Sequence, residues 1–149
     1  MFLTHQTPVR VRYAETDQMG VVYHSNYFIW FEIGRAELLR NAGLAYTTFE
    51  EQGLAVAVVD AGCRYRRPAL YDDQLVIETS LESFSSRKLT FTYKVLRDDT
   101  LLAEGTTIHV FVDRTGRSTD ARNYPIWKEF EEIINENKES EKAEAGAQV

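Results

Sequence analysis

The sequence predicts an α+β fold: an antiparallel β-sheet of about five strands wrapped around one long central helix, plus a C-terminal helix. Three observations carry this. Residues 27–40 form an apolar run too long for a typical strand, with polar side chains at Glu32, Arg35, Glu37 and Arg40. A helix with that pattern is apolar around most of its circumference and needs cover on more than one side. Later segments alternate with the period of two that marks strands. The joints Ser85-Ser86 and Asp98-Asp99-Thr100 suit hairpins and are far too short for parallel crossovers.

Taken in order, Val9–Tyr13 alternates apolar and basic residues and reads as a first, half-exposed strand. A polar loop, Glu15–Gly20, leads to the helix. Ser25 or Asn26 stands where a cap belongs, and Asn41-Ala42-Gly43 is a stop signal. Leu54–Asp60 is a valine-rich strand, with Gly62–Arg67 as its continuation. Gln74–Phe84, Arg87–Arg97 and Leu101–Val112 complete the sheet. Pro125 opens an amphipathic helix through Ile134. From Lys138 the chain is rich in Glu, Lys and Ala, so residues 138–149 are expected to be a disordered polar tail behind a single domain, 1–137.

At 149 residues, 44% hydrophobic and 27% charged, the chain is one globular domain. A net charge of −6 argues against a nucleic-acid partner, which wants a basic face. Cys63 is the single cysteine, which excludes an internal disulfide and makes a reducing compartment the default. The first eight residues lack the basic and apolar regions of a signal peptide, and nothing approaches a bilayer span. The expectation is a cytoplasmic protein with no membrane insertion. One sheet around one helix leaves an edge and a face uncovered, so a homo-oligomer is expected, dimer or tetramer.

Several chemistries are unsupported. There is no Gly-x-Ser-x-Gly elbow, no phosphate-binding or dinucleotide glycine loop, and no metal-ligand spacing among His5, His24 and His109. The informative stretch is Tyr13–Tyr27. It sets two carboxylates, Glu15 and Asp17, in a loop between a strand and the start of a buried helix. A helix start presents free N–H groups that can hold an oxygen gaining negative charge. A carboxylate beside it can attack a carbonyl or deprotonate water. Gly20 lets the loop turn tightly. From spacing alone, the more ordinary reading of such carboxylates is solvated or capping residues.

The pattern Tyr13-x-Glu15-Thr16-Asp17-x-x-Gly20-Val21-Val22-Tyr23-His24-x-Asn26-Tyr27 resembles the signature of the hotdog-fold acyl-CoA thioesterases, in the 4-hydroxybenzoyl-CoA thioesterase family and its YbgC-like branch. The likeness continues through Phe31-Glu32-x-x-Arg35-x-Glu37-x-Leu39-Arg40, the Tyr71-Asp72-Asp73 turn and the Ser83–Arg87 hairpin, covering roughly residues 8–135. The resemblance implies that Asp17 is the catalytic carboxylate, as nucleophile or general base. It implies that the His24 backbone N–H is an oxyanion donor and that its side chain orients water or the leaving thiol. Tyr23 and Asn26 are implied as shaping and positioning residues, and Glu15 as supporting. Glu32 is the helix carboxylate that a related branch would use instead. No cofactor is implied, since coenzyme A is part of the substrate; its phosphates would be met by Arg87 and Lys88 at the hairpin and by Arg64, Arg66 and Arg67. The acyl pocket would form between subunits, with Tyr27, Trp30 and Phe31 as candidate lining. Two other functions stay open: an acyl-thioester dehydratase or hydratase, and a non-catalytic acyl-CoA-binding module.

Overall fold

The computed structural model describes the chain from Phe2 to Ala147, with side chains as far as Lys138. Five strands, β1 (Leu3–Arg10), β2 (Ala55–Tyr65), β3 (Gln74–Phe84), β4 (Lys88–Arg97) and β5 (Thr100–Val112), form one antiparallel sheet in the order β1-β3-β4-β5-β2. Three helices accompany it: α1 (Asn26–Asn41), α2 (Tyr46–Glu51) and α3 (Ile126–Ala147). The α+β sheet-and-helix architecture read from the sequence is the one found.

Helix α1 packs on β1, β3 and β4 through Tyr27, Trp30, Phe31, Gly34, Leu38 and Leu39. Trp30 and Phe31 are fully buried, each a contribution of about 3 kcal/mol. Phe31 stacks on Tyr93 of β4 with ring centres 4.3 Å apart. Two glycines let the helix sit this close. A Cβ on Gly34 would overlap the Thr79 hydroxyl on β3 and lie 3.1 Å from Ile77. A Cβ on Gly105 of β5 would overlap the Phe31 ring and lie 2.7 Å from the Gly62 carbonyl oxygen. The helix ends as its sequence predicts. Gly43 takes φ +84°, its N–H reaches the Arg40 carbonyl, and the Leu44 N–H reaches that of Leu39.

Four details differ from expectation. Strand β1 spans Leu3–Arg10 rather than Val9–Tyr13. Its less exposed positions are Leu3, His5, Thr7 and Val9, so no clean apolar alternation announces it. Past Arg10 the chain turns into a short 3-10 helix, Tyr13–Glu15, whose Glu15 carboxylate takes the Arg12 N–H. Neither Ser25 nor Asn26 caps α1 with its side chain; Asn26 donates instead to the Glu15 carbonyl at 2.9 Å. The six-residue α2 carries no periodic signal long enough to read. Helix α1 is also not covered all round within one chain: Ile29 and Ile33, one turn apart, are 47% and 39% exposed. The expected tail, 138–149, falls largely on residues whose side chains are not described; the backbone of α3 runs to Ala147.

Candidate active site

The loop between β1 and α1 folds as a small tab. Thr16 bridges to Val22 and Val21 bridges to Leu70, which pins both arms. At its tip the Asp17 N–H bonds to the Val21 carbonyl at 2.9 Å, and the Gly20 N–H returns to the Asp17 carbonyl at 3.0 Å. Gly20 sits at φ +80°, a conformation that a β-carbon would strain. The half-buried Asp17 accepts the Met19 N–H on Oδ1 at 2.8 Å. Among the described residues Oδ2 has no partner.

Glu15 organises this loop from beneath. It is buried, and both carboxylate oxygens are used: Oε1 takes the Arg12 N–H at 2.7 Å and Oε2 the Trp30 indole N–H at 3.0 Å. Its carbonyl accepts the Tyr23 N–H at 2.9 Å and the Asn26 side-chain amide. One residue thus ties the loop, the helix start and the helix core together. Because Tyr23 is held against Glu15, Asp17 and His24 lie two residues and one residue from that contact.

The start of α1 is open. The N–H groups of His24 and Ser25 have no acceptor among the described residues, so two free donors stand at the positive end of the helix, where the loop enters it. The His24 carbonyl is held by the Tyr65 hydroxyl at 2.8 Å. Burial and the neighbouring Cys63 push the Tyr65 hydroxyl's pKa up to about 12, so it stays a donor. Donating to that carbonyl fixes the plane of the His24–Ser25 peptide and with it the direction of the Ser25 N–H. The rings of Tyr23 and His24 are exposed and lie 4.4 Å apart. Of the expected site residues, Glu15, Asp17, Gly20, Tyr23, His24 and Asn26 therefore converge.

The chain as a whole is similar to known proteins. The profile of the thioesterase-like superfamily matches residues 11–140. The chain belongs to that superfamily. It is a thioester hydrolase by family, and the expected family resemblance and hotdog fold hold. A putative esterase of Aquifex aeolicus is 41% identical over 103 residues, covering 69% of this chain and 80% of the relative. The acyl-CoA thioester hydrolase YbgC of Escherichia coli O157:H7 is 34% identical over 126 residues, covering 84% and 94%. Among solved structures, the DHNA-CoA thioesterase of Staphylococcus aureus superposes with a TM-score of 0.83 at 29% identity, covering 92% of this chain and 95% of that one.

The basic residues expected of this thioesterase do not all meet within one chain. Arg67 bonds through its N–H to Leu102 near the start of β5, while the Arg87 carbonyl accepts the Phe111 N–H near its end. Nine residues of strand separate the two, roughly 30 Å. Arg67 shares the Asp17 end, because Ala69 accepts the Val22 N–H. Arg87 and Lys88 lie exposed at the other end. Arg66 pairs with Glu104 at 2.5 Å. Glu32 lies seven residues into the helix from Ser25, about 10 Å along its axis, and so away from the open amides. Sequence reasoning missed Tyr65 as a partner of the site, and took Trp30 as a candidate for pocket lining rather than as the donor to Glu15. A tyrosine closing a strand and a tryptophan in an apolar helix carry no signal of a hydrogen bond made across the fold.

Proposed function

We propose that this thioesterase hydrolyses an acyl-CoA thioester to the free acid and coenzyme A, with Asp17 as the reacting carboxylate. The observation that carries this is the pair of unsatisfied amides, His24 and Ser25, opening beside the Asp17 loop. They suit the oxygen of a thioester carbonyl as it becomes an oxyanion, where one such donor is worth about 3–4 kcal/mol. Asp17 Oδ2 then acts in one of two ways. It attacks the carbonyl carbon, the C–S bond breaks with departure of the thiolate, and water cleaves the resulting anhydride. Alternatively it takes a proton from water as hydroxide adds, and returns that proton to the departing sulfur. Relatives named acyl-CoA thioesterases and thioester hydrolases support the substrate class. The scheme needs no metal or separate cofactor. A cytoplasmic setting suits a chain with one unpaired cysteine, and no described helix is long and apolar enough to cross a membrane. Thiol release over a panel of acyl-CoAs tests the proposal; no release from any member overturns it.

A second copy of the chain completes the site in this reading. Strand β2 is an 11-residue sheet edge that exposes Val58 and Val59, and α1 exposes Ile29 and Ile33. An uncovered edge of that length invites pairing. Antiparallel β2-to-β2 pairing across a two-fold axis sets the Tyr65 end of one copy beside the Ala55 end of the other. The hairpin bearing the partner's Arg87 and Lys88 then approaches the Asp17 and Arg67 end, which closes the 30 Å gap found in one chain. Sedimentation should show a dimer or tetramer, and Val59→Lys should shift it towards monomer. A native chain that sediments as a monomer at micromolar concentration would remove this part of the proposal.

Arg87 and Lys88 make no ion pair among the described residues and are free to meet phosphates. Replacing both by Ala should raise KM roughly five- to tenfold with little change in kcat. Added salt should raise KM of the native protein more than that of the variant.

A further inference from the structure

A cavity lies under the middle of α1, away from the Asp17 loop. It has a volume of about 240 Å³, which suits roughly ten non-hydrogen atoms. Its walls are mostly apolar: Leu39, Leu89 and Phe91 are buried there. Two nitrogen-bearing side chains join them, Arg35 from α1 and His109 from β5.

Neither is used up by the protein. Arg35 is half-buried and makes no ion pair among the described residues, and its charge lies close to the Tyr93 hydroxyl. From Tyr93 a chain of short contacts runs inward. The Tyr93 hydroxyl is 2.6 Å from Thr107 Oγ1, which is 2.8 Å from His109 Nε2. The neighbouring guanidinium, which only donates, favours the arrangement in which the tyrosine turns its oxygen to it and gives its hydrogen to Thr107. Thr107 in turn gives its hydrogen to His109 Nε2, which leaves the imidazole proton on Nδ1. That second ring nitrogen has no partner among the described residues, although His109 is only 1% exposed. Burial, reinforced by the Arg35 charge, pulls the His109 pKa down to about 4, so the ring is neutral near pH 7 and Nδ1 is a donor.

A positive, unpaired guanidinium and a buried N–H donor in an apolar pocket ask for an anionic acceptor with an apolar body. Glu32 stands at the rim, exposed to solvent, and is the opposing charge. We infer that this cavity binds a compact organic carboxylate, its carboxyl on Arg35 and His109 and its body against Leu39, Leu89 and Phe91. Such a group has two sources: a free acid, or the far end of an acyl chain that carries a second carboxyl.

Calorimetry of the full-length protein at pH 7 with sodium benzoate and with benzamide separates charge from shape. Benzoate is expected to bind at least tenfold more tightly than the amide. Arg35→Gln should abolish that preference and Arg35→Lys should retain part of it. Glu32→Gln should tighten benzoate binding several-fold, a direction that general damage to the fold would not produce. Equal binding of the two probes, or benzoate binding unchanged by Arg35→Gln, overturns the assignment. Asp17→Asn should bind benzoate as the native protein does, so loss of thioesterase activity and loss of this site are read separately. Turnover of glutaryl-CoA against butyryl-CoA identifies the source. A KM raised by Arg35→Gln for glutaryl-CoA alone places the carboxyl on the acyl chain; unchanged KM values with lost benzoate binding place a free acid there.

Discussion

Asp17→Asn is expected to keep the fold and to lower turnover of acyl-CoA by two orders of magnitude or more. The fold survives because Asp17 gives the loop one side-chain bond, from Oδ1 to the Met19 N–H, and an asparagine carbonyl oxygen accepts it equally well. What is lost is the free carboxylate oxygen. An amide neither adds to a thioester nor takes a proton from water at neutral pH. The loss should fall on kcat more than on KM, because nothing that holds coenzyme A is altered. Circular dichroism with a thiol-release assay checks both halves. Activity within tenfold of the native protein would remove Asp17 from the chemistry. A single turnover in ¹⁸O-water then separates its two roles: label entering the Asp17 carboxyl marks the nucleophile, and label confined to the product acid marks the base.

Glu15→Ala should be costly in a different way. Two donors, the Arg12 N–H and the Trp30 indole N–H, lose their acceptor, and the indole lies in the core. Each orphaned donor costs about 1–3 kcal/mol, so a loss of about 3 kcal/mol is expected. Stability measured by urea denaturation reads this directly. Activity should fall as well, even in the folded fraction, because the Glu15 backbone carbonyl that holds the Tyr23 N–H and the Asn26 amide loses the carboxylate anchor that positions it. Glu15→Gln discriminates the two effects. It can still offer one acceptor oxygen, so it should recover a share of the stability. A variant as stable as the native chain would show that water replaces the carboxylate and that the latch is dispensable.

Much of this was legible in the residues, for identifiable reasons. Strand β3 was readable to its ends, because a sheet with one face on the core imposes a period of two on its sequence. The end of α1 was readable because a left-handed residue favours glycine, and Gly43 supplies it. The Asp17 loop stood out as carboxylates before a buried helix, and the structure draws its neighbours together there. Strand β1 was misplaced because Thr7 and His5 occupy its inner positions, and apolar periodicity cannot report polar groups turned inward. The capping role given to Ser25 or Asn26 was wrong because the Glu15 carbonyl competes for Asn26. The separation of Arg67 from Arg87 depends on which ends of β5 they adjoin, and strand order is not written in local pattern. The alignment of Arg35, Tyr93, Thr107 and His109 was hidden for the same reason, since three elements contribute to it.

The two glycine contacts beneath α1 carry a consequence for how this protein can diverge. With no room for a methyl group at Gly34 or Gly105, the helix rests on the sheet at two fixed points and can neither roll nor slide. Changes of substrate range during evolution must therefore be made elsewhere, in the tab at residues 16–22, the rim around Glu32, and whatever a neighbouring copy brings. Lineages that traded either glycine for a larger residue would have to rebuild the Phe31–Tyr93 stack or the Thr79 surface at the same step, a two-site change that single substitutions do not reach.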